Sequence, residues 1–374
     1  MANPPQSTSQ QPSATKISDV ITTFRPARVL VPTLKTLDTN EADALQRFQP
    51  ESSKISITSL DFDDTGELAV VARDDDTLHI YNCKSGKHAK ELKSQKYGVH
   101  LARFTHNAQS LIYASTKVDD GIRYLSSHDN SYIRYFKGHT DTVTSIALSP
   151  AKDQFLSCSR DNTVRFWNLN SPNPQGQLNL HAAYLCAYDP SATVIGIASP
   201  PTNCILLYDL RNYDKPPFAT FDVLAFERQY TPQSVGRDWT KIEFSNDGQI
   251  MLLSTNNGAG HFILDAFDGN LKWFCSRETG GGTSGRMSPG EKGGVAGQGD
   301  ACFSPDGRYL LSGCGRNVVL VWDMHEPKNA DKVLRPMTEI PGPCKAAVLG
   351  FNPKHNVVCS ADKDLIFYLP DSEL

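Results

Sequence analysis

The sequence predicts an all-β fold built radially: a closed ring of seven four-stranded sheets, a β-propeller. Three observations predict it. One phrase recurs down the chain: an alternating apolar strand, a tight turn, a second strand ending in small residues, and a third ending in an aromatic, often followed by Asp. Its cleanest copies run from Val143-Thr-Ser-Ile-Ala-Leu-Ser-Pro150 to Phe166-Trp167-Asn168, and from Ala301-Cys-Phe-Ser-Pro-Asp-Gly307 to Val321-Trp322-Asp323. The phrase also has a period. The last bulky residues of the seven first strands, Phe62, Phe104, Leu148, Tyr188, Phe244, Phe303 and Phe351, are spaced by 42, 44, 40, 56, 59 and 48 residues. Repeats of roughly 40–45 residues are those of propeller blades. Turn chemistry falls where a blade needs it. Asp63-Asp64-Thr65-Gly66, Asn246-Asp247-Gly248 and Pro305-Asp306-Gly307 separate first from second strands. Asp74-Asp75-Asp76, Arg160-Asp161-Asn162 and Lys363-Asp364 separate second from third. Asn and Asp tolerate the left-handed conformation, and Gly has no Cβ to clash in it.

The remaining elements follow in order. Residues 1–16 are rich in Ser, Gln and Pro and are expected to be a disordered tail. The propeller is expected over 17–374. The seventh repeat, from Ala347 to Tyr368, lacks a fourth strand. Val29 to Val31 is expected to supply it and close the ring, which removes the free edges of an open array. The charged stretch 38–53 is then an insertion at the closure point. The two long steps hold insertions of their own, at 222–238 and in the Gly-rich loop 280–299. Phe226, Tyr230 and Trp239 in or beside the first of these are expected to cap a face of the ring.

Composition narrows the function classes. The net charge of −4 carries no nucleic-acid signature, so no direct nucleic-acid partner is expected. The nine cysteines show no C-x-x-C pair and no zinc spacing, so they read as buried reduced thiols with no metal or cofactor. No apolar run approaches a membrane span, and no signal peptide opens the chain. The Ser-x-Asp-x-Gly-x-Thr-Trp box of propeller sialidases is absent. Gly280-Gly-Gly-Thr-Ser-Gly285 lacks the Lys of a phosphate-binding loop. The chain is therefore expected to dock partners and not to be an enzyme.

The third repeat alone carries Gly138-His139, Ser157, Asp161 and Trp167. This is the polar signature of a WD repeat. The indole N–H is expected to donate to Ser157, Ser157 to His139, and His139 to Asp161, a structural chain that ties three strands together.

Longer phrases carry a more specific resemblance. They include Lys96-Tyr-Gly-Val-His-Leu-Ala-Arg-Phe-Thr-His106, Asp119-Asp-Gly-Ile-Arg-Tyr-Leu-Ser-Ser-His128 continuing to His139, Tyr208-Asp-Leu-Arg211, Lys241-Ile-Glu-Phe-Ser-Asn-Asp-Gly248, Asp265-Ala-Phe267 and Phe351-Asn-Pro-Lys354. Through them the chain resembles the WD-repeat subunit shared by the COMPASS (Set1-type) histone lysine methyltransferase complex and the cleavage and polyadenylation factor. The resemblance implies a non-catalytic scaffold in the nucleus. It implies binding to an N-terminal segment of the SET-domain methyltransferase and to cleavage/polyadenylation and phosphatase subunits. It also implies a link to the phosphorylated C-terminal repeats of transcribing RNA polymerase II.

Arg123, Tyr132, Arg134 and Lys137 stand in a stretch dense in Arg and Tyr, the residue types that anchor interfaces and pair with phosphorylated or acidic segments. Alternation along Tyr132-Ile133-Arg134-Tyr135-Phe136 places Tyr132 and Arg134 on one side. Arg211 joins the candidates because Tyr208-Asp209-Leu210-Arg211 is close to the W-D-x-R box of cullin-ligase substrate receptors. Such an adaptor is the alternative function.

Overall fold

A computed structural model of the chain describes residues 15–30, 37–38, 55–237, 239–277, 301–326 and 331–371. Seven sheets are present; five are antiparallel and built from strands that follow one another in sequence, while blade seven takes in the N-terminal strand and blade five adds one parallel strand. Blade one runs Ile57–Phe62, Leu68–Arg73, Thr77–Asn82 and Lys87–Lys93. Blade two runs His100–Phe104, Ser110–Ala114, Ile122–Ser126 and Tyr132–Phe136; blade three begins at Val143–Leu148, blade four at Leu185–Tyr188 and blade five at Trp239–Phe244. Blade six begins at Ala301–Phe303 and blade seven at Val348–Phe351. Each of the seven bulky residues that set the period is the last residue of a first strand. The second strands are the most buried: Leu68–Arg73, Gln154–Ser159, Val194–Ser199 and Ile250–Thr255 each carry five buried residues in a row. Both faces of such a strand pack on a neighbouring sheet, so it reads as a near-continuous apolar run.

The ring closes by the N-terminal strand, which is longer and starts earlier than Val29 to Val31. Phe24–Leu30 pairs antiparallel with Leu365–Pro370 and serves as the fourth strand of blade seven. Phe24 is fully buried and meets Phe351 edge-on at 6.0 Å. The preceding turn adds Ile21, which is also buried, to the core of blades six and seven. Thr15, within the segment expected to be a tail, accepts a hydrogen bond from Asn356 Nδ2 at 3.1 Å; residues 1–14 lie outside the described residues. Leu37–Asp38 adds a fifth, two-residue strand against Arg28 and Val29. The rest of the 38–53 insertion and the loop 280–299 lie outside the described residues.

Side chains staple neighbouring blades near the channel. Ala102 N donates to Ser59 Oγ (3.0 Å), Phe104 N to Asp61 Oδ2 (2.8 Å) and Cys186 N to Ser145 Oγ (3.3 Å). The final joint is made by Asn352, fully buried, whose Nδ2 donates to Gly66 O at 2.7 Å. Gly66 has φ +71°, and a Cβ there would lie 2.3 Å from Asn352 Oδ1, so both the turn and the joint require glycine.

The insertion 222–238 folds back on the ring. It forms the helix Leu224–Tyr230, whose buried Glu227 accepts from Trp239 Nε1 (2.6 Å), Asn203 Nδ2 (2.7 Å) and Gly236 N (3.0 Å). Tyr230 stacks on Phe274 at 4.6 Å, and Phe226 packs on the same cluster. One feature had no sequence signal. Between the third and fourth strands of blade six, Val333–Leu334 crosses to blade five and pairs parallel with Leu271–Ser276.

Ring closure makes Phe24 a stability determinant. Phe24→Ala is expected to cost about 3–5 kcal/mol, read as a lower midpoint in urea unfolding followed by circular dichroism.

Candidate functional site

The polar set in blade three is joined end to end. Trp167 Nε1 donates to Ser157 Oγ (2.8 Å), Ser157 lies 2.7 Å from His139 Nε2, and His139 Nδ1 lies 2.9 Å from Asp161 Oδ2. Because the indole can only donate, the Ser157 hydroxyl donates onward to Nε2, and Nδ1 carries the proton that reaches Asp161. Burial works against a charged Asp161. The hydrogen bonds from His139 and Thr163 outweigh it and hold the carboxyl well below its ordinary range. The chain ends on the turn Arg160-Asp161-Asn162.

Blade six keeps the Trp but rewires the rest. Ser312 Oγ accepts from Arg277 Nη2 (2.9 Å) and lies 2.7 Å from His261 Nε2, both from the blade-five side. Thr255 N donates to His261 Nδ1 at 3.1 Å, and Arg277 Nη2 lies 2.6 Å from His261 Nε2. Burial and the neighbouring Arg277 keep His261 neutral.

The channel opens into a cavity of about 710 Å³ at the end carrying the first-to-second-strand turns. The carboxylates that line it are engaged locally. Asp61 pairs with Arg103 (3.3 Å), Asp64 with His106 (2.7 Å) and Glu243 with Lys241 (2.6 Å). Asp63 and Asp189 accept backbone N–H groups of their own turns at 2.7 Å each.

The Arg- and Tyr-rich stretch forms a different kind of site, on the outer part of blade two against blade one. The parity expected for it is wrong. A β-bulge between Tyr132 and Arg134 shifts the register and turns the two side chains apart. Tyr132 faces blade one, with its hydroxyl 3.2 Å from Ser94 Oγ and from Tyr113 Oη. Arg134 reaches the other way and donates to Leu169 O of blade three. Arg123 is also misassigned as a docking cation, because its side chain is 1% exposed. Its guanidinium sits between the Tyr97 ring (4.1 Å) and the Tyr135 ring (4.9 Å), with Asp119 Oδ1 at 2.5 Å. Arg123 orients tyrosines; it does not offer a free charge. Lys137 is exposed at the end of the strand. Arg211 is exposed on blade four, away from this cluster, where its N–H donates to Asp209 Oδ1 at 2.9 Å and closes the turn.

Tyr97 is the member that sequence reasoning missed. It belongs to the connection from blade one to blade two, and only the fold brings it beside Tyr132 (5.4 Å) and Tyr135 (6.1 Å). Thr116 N and Lys117 N both donate to Tyr97 O, at 2.9 and 2.8 Å, which clamps it in place. Lys96 lies 5.1 Å from its ring. Around the tyrosines, Val118 (76%), Ile133 (47%) and Tyr135 (37%) are exposed. The arrangement suits a partner that buries aromatic surface beside lysines.

Comparison with known proteins identifies the family. The repeat family described as WD domain, G-beta repeat matches residues 44–82, 130–168 and 290–323. WD repeat-containing protein 82 of Drosophila melanogaster is 40% identical over 327 residues, 87% of this chain and 93% of that protein. The chain belongs to this WD-repeat family. The Set1 complex component swd2 of Schizosaccharomyces pombe, also in the family, is 40% identical over 287 residues, 76% of each chain. The COMPASS component SWD2 of Saccharomyces cerevisiae is 33% identical over 332 residues, 87% of this chain and 95% of that protein. Among the described residues no helix is long and apolar enough to cross a membrane.

Ser157→Ala leaves the indole N–H and a His139 nitrogen buried without a partner and is expected to cost about 1–3 kcal/mol in urea titration. Asp161 gives a pH dependence. Its folded pKa lies below the unfolded value of about 3.9, so its contribution is complete at neutral pH and fades as the pH falls below that value. Asp161→Asn is expected to flatten this acid limb when unfolding is measured from pH 7 to pH 2.

Proposed function

We propose that this WD-repeat protein is a non-catalytic scaffold subunit of a nuclear histone lysine methyltransferase assembly of the Set1 type. The observation that carries the reading is the 40% identity to a protein named as a Set1 complex component, over 76% of both chains. The ring supplies a rigid frame and the seam between blades one and two supplies the anchors. The ligand is an N-terminal segment of the SET-domain subunit, which orders as it binds and loses conformational entropy in doing so.

The same reading extends to cleavage/polyadenylation and phosphatase subunits and to the phosphorylated C-terminal repeats of RNA polymerase II. What supports these further partners is the chemistry of the seam: rigid tyrosines with Lys96 and Lys137 exposed beside them, a setting for acidic or phosphorylated segments. Arg123 and Arg134 are engaged within the fold and serve as positioning residues.

Affinity purification from nuclear extract with the full chain as bait is expected to recover a SET-domain methyltransferase. Lys96→Glu with Lys137→Glu is expected to reduce that recovery roughly tenfold and to weaken its salt dependence, with the melting curve unchanged. Recovery of a cullin-ligase adaptor without any methyltransferase would overturn the reading.

A further inference from the structure

The seven outer edges of the ring are unequal. Blade five's outer strand, Leu271–Ser276, is covered by Val333–Leu334, and blade seven's, Phe24–Leu30, by Leu37–Asp38. These two cases show that an outer edge of this ring accepts a fifth strand in either direction. Blade one's outer strand, Lys87–Lys93, carries three lysines, and blade six's, Thr338–Pro341, carries Glu339 and ends in proline. Both are defended edges, since charge and proline oppose pairing with another strand. Blades three and four end in four-residue strands, Gly176–Asn179 and Ala219–Asp222, the second of them ending in an acid.

Blade two differs from all of these. Its outer strand, Tyr132–Phe136, is the last strand of its sheet, and among the described residues nothing pairs with its outer side. Its sequence, Tyr-Ile-Arg-Tyr-Phe, has no acid, no proline and no glycine, and every residue but the arginine is aromatic or β-branched. Ile133 and Tyr135 are exposed along it. The arginine is drawn to Leu169 O on blade three, so it does not protect the edge. Of the acids near the seam, Asp119 is held by Arg123 and Asp76 by Lys117. Lys96 and Lys137 remain exposed at the same seam.

We propose that this edge is a β-augmentation site, at which an extended partner segment adds to blade two as a fifth strand. The inference rests on the scaffold reading above and names its binding mode. The occupant is an extended peptide with apolar side chains that meet the exposed Ile133 and Tyr135, and acidic residues that reach Lys96 and Lys137. Main-chain hydrogen bonds supply the pairing, and the Arg123-stacked tyrosines supply the side-chain contact.

The test uses the full chain and the N-terminal segment of the SET-domain subunit, with affinity by titration and amide hydrogen exchange on the complex. Binding is expected to slow exchange within residues 132–136. Ile133→Lys gives blade two the lysine-bearing edge of blade one at a half-exposed position, and is expected to weaken binding at least about tenfold with an unchanged melting curve. A segment N-methylated at alternate backbone amides is expected to lose affinity to the same degree. Phe267→Ala, at the 92% exposed tip of a blade-five turn, is expected to bind as wild type. A tight complex with no added protection at 132–136, or one indifferent to N-methylation, overturns the strand-addition mode and leaves the scaffold reading standing. Absence of any complex with the segment overturns both.

Discussion

The structure depends on one pairing: the antiparallel register of Phe24–Leu30 on Leu365–Pro370. It joins the two ends of the described chain, and until it forms the seventh sheet has three strands and an open edge. Arg28 extends the joint to blade one by donating to Ser85 O (2.5 Å) and Gly86 O (3.2 Å). Ile57 N and Asn352 Nδ2 tie blade one to blade seven nearer the channel, at 2.6 and 2.7 Å. Contacts of such long sequence separation form late and cooperatively in folding, so the ring is expected to behave as one unit and not as seven modules. A docking scaffold needs this, because a seam between two blades holds its shape only when the whole ring resists opening.

Buried polar groups serve the same end. The staples from Ser59, Asp61 and Ser145 hand a backbone N–H of one blade to a side chain of the blade before it. Blade three completes its polar chain internally, whereas blade six takes its histidine from blade five. Glu227 gathers three donors to seat a helix over blades four and five. Each is an ionisable or polar group that resembles catalytic equipment when seen alone. Each is engaged in hydrogen bonds within the fold, and a satisfied buried network specifies packing.

Period and turn chemistry made the architecture legible, since a propeller repeats its local rules and each repeat is an independent witness. The tight-turn glycines fall where φ is positive: Gly66, Gly248 and Gly307 at +71°, +69° and +70°. The polar chain of blade three was legible because its members stand at fixed offsets. The proposed docking surface was legible only as composition. Alternation fails at Tyr132 and Arg134 because a bulge inserts one residue, and no composition rule marks where a strand bulges. Arg123 read as a surface cation because arginine usually is one. Its burial depends on Tyr97, which the chain brings from another blade. The crossing of Val333–Leu334 was invisible for the same reason: a two-residue strand has no period, and its partner is set by the ring.

The geometry at Arg123 explains why this seam suits capture of an unstructured segment. A peptide that orders on binding loses conformational entropy, so the receiving surface should lose as little as possible. Tyr132 is fixed by hydroxyl contacts to Ser94 and Tyr113, and Tyr135 stacks on it at 5.4 Å. The guanidinium of Arg123 sits between Tyr97 and Tyr135 and is itself held by Asp119. Tyrosines restrained in this way present area and hydroxyls with few rotamers left to freeze. A free lysine or arginine cluster would offer more charge but would have to order its own long side chains. The burial of Arg123, which removes it from the list of docking cations, is therefore what fits its neighbours for the proposed role of anchors.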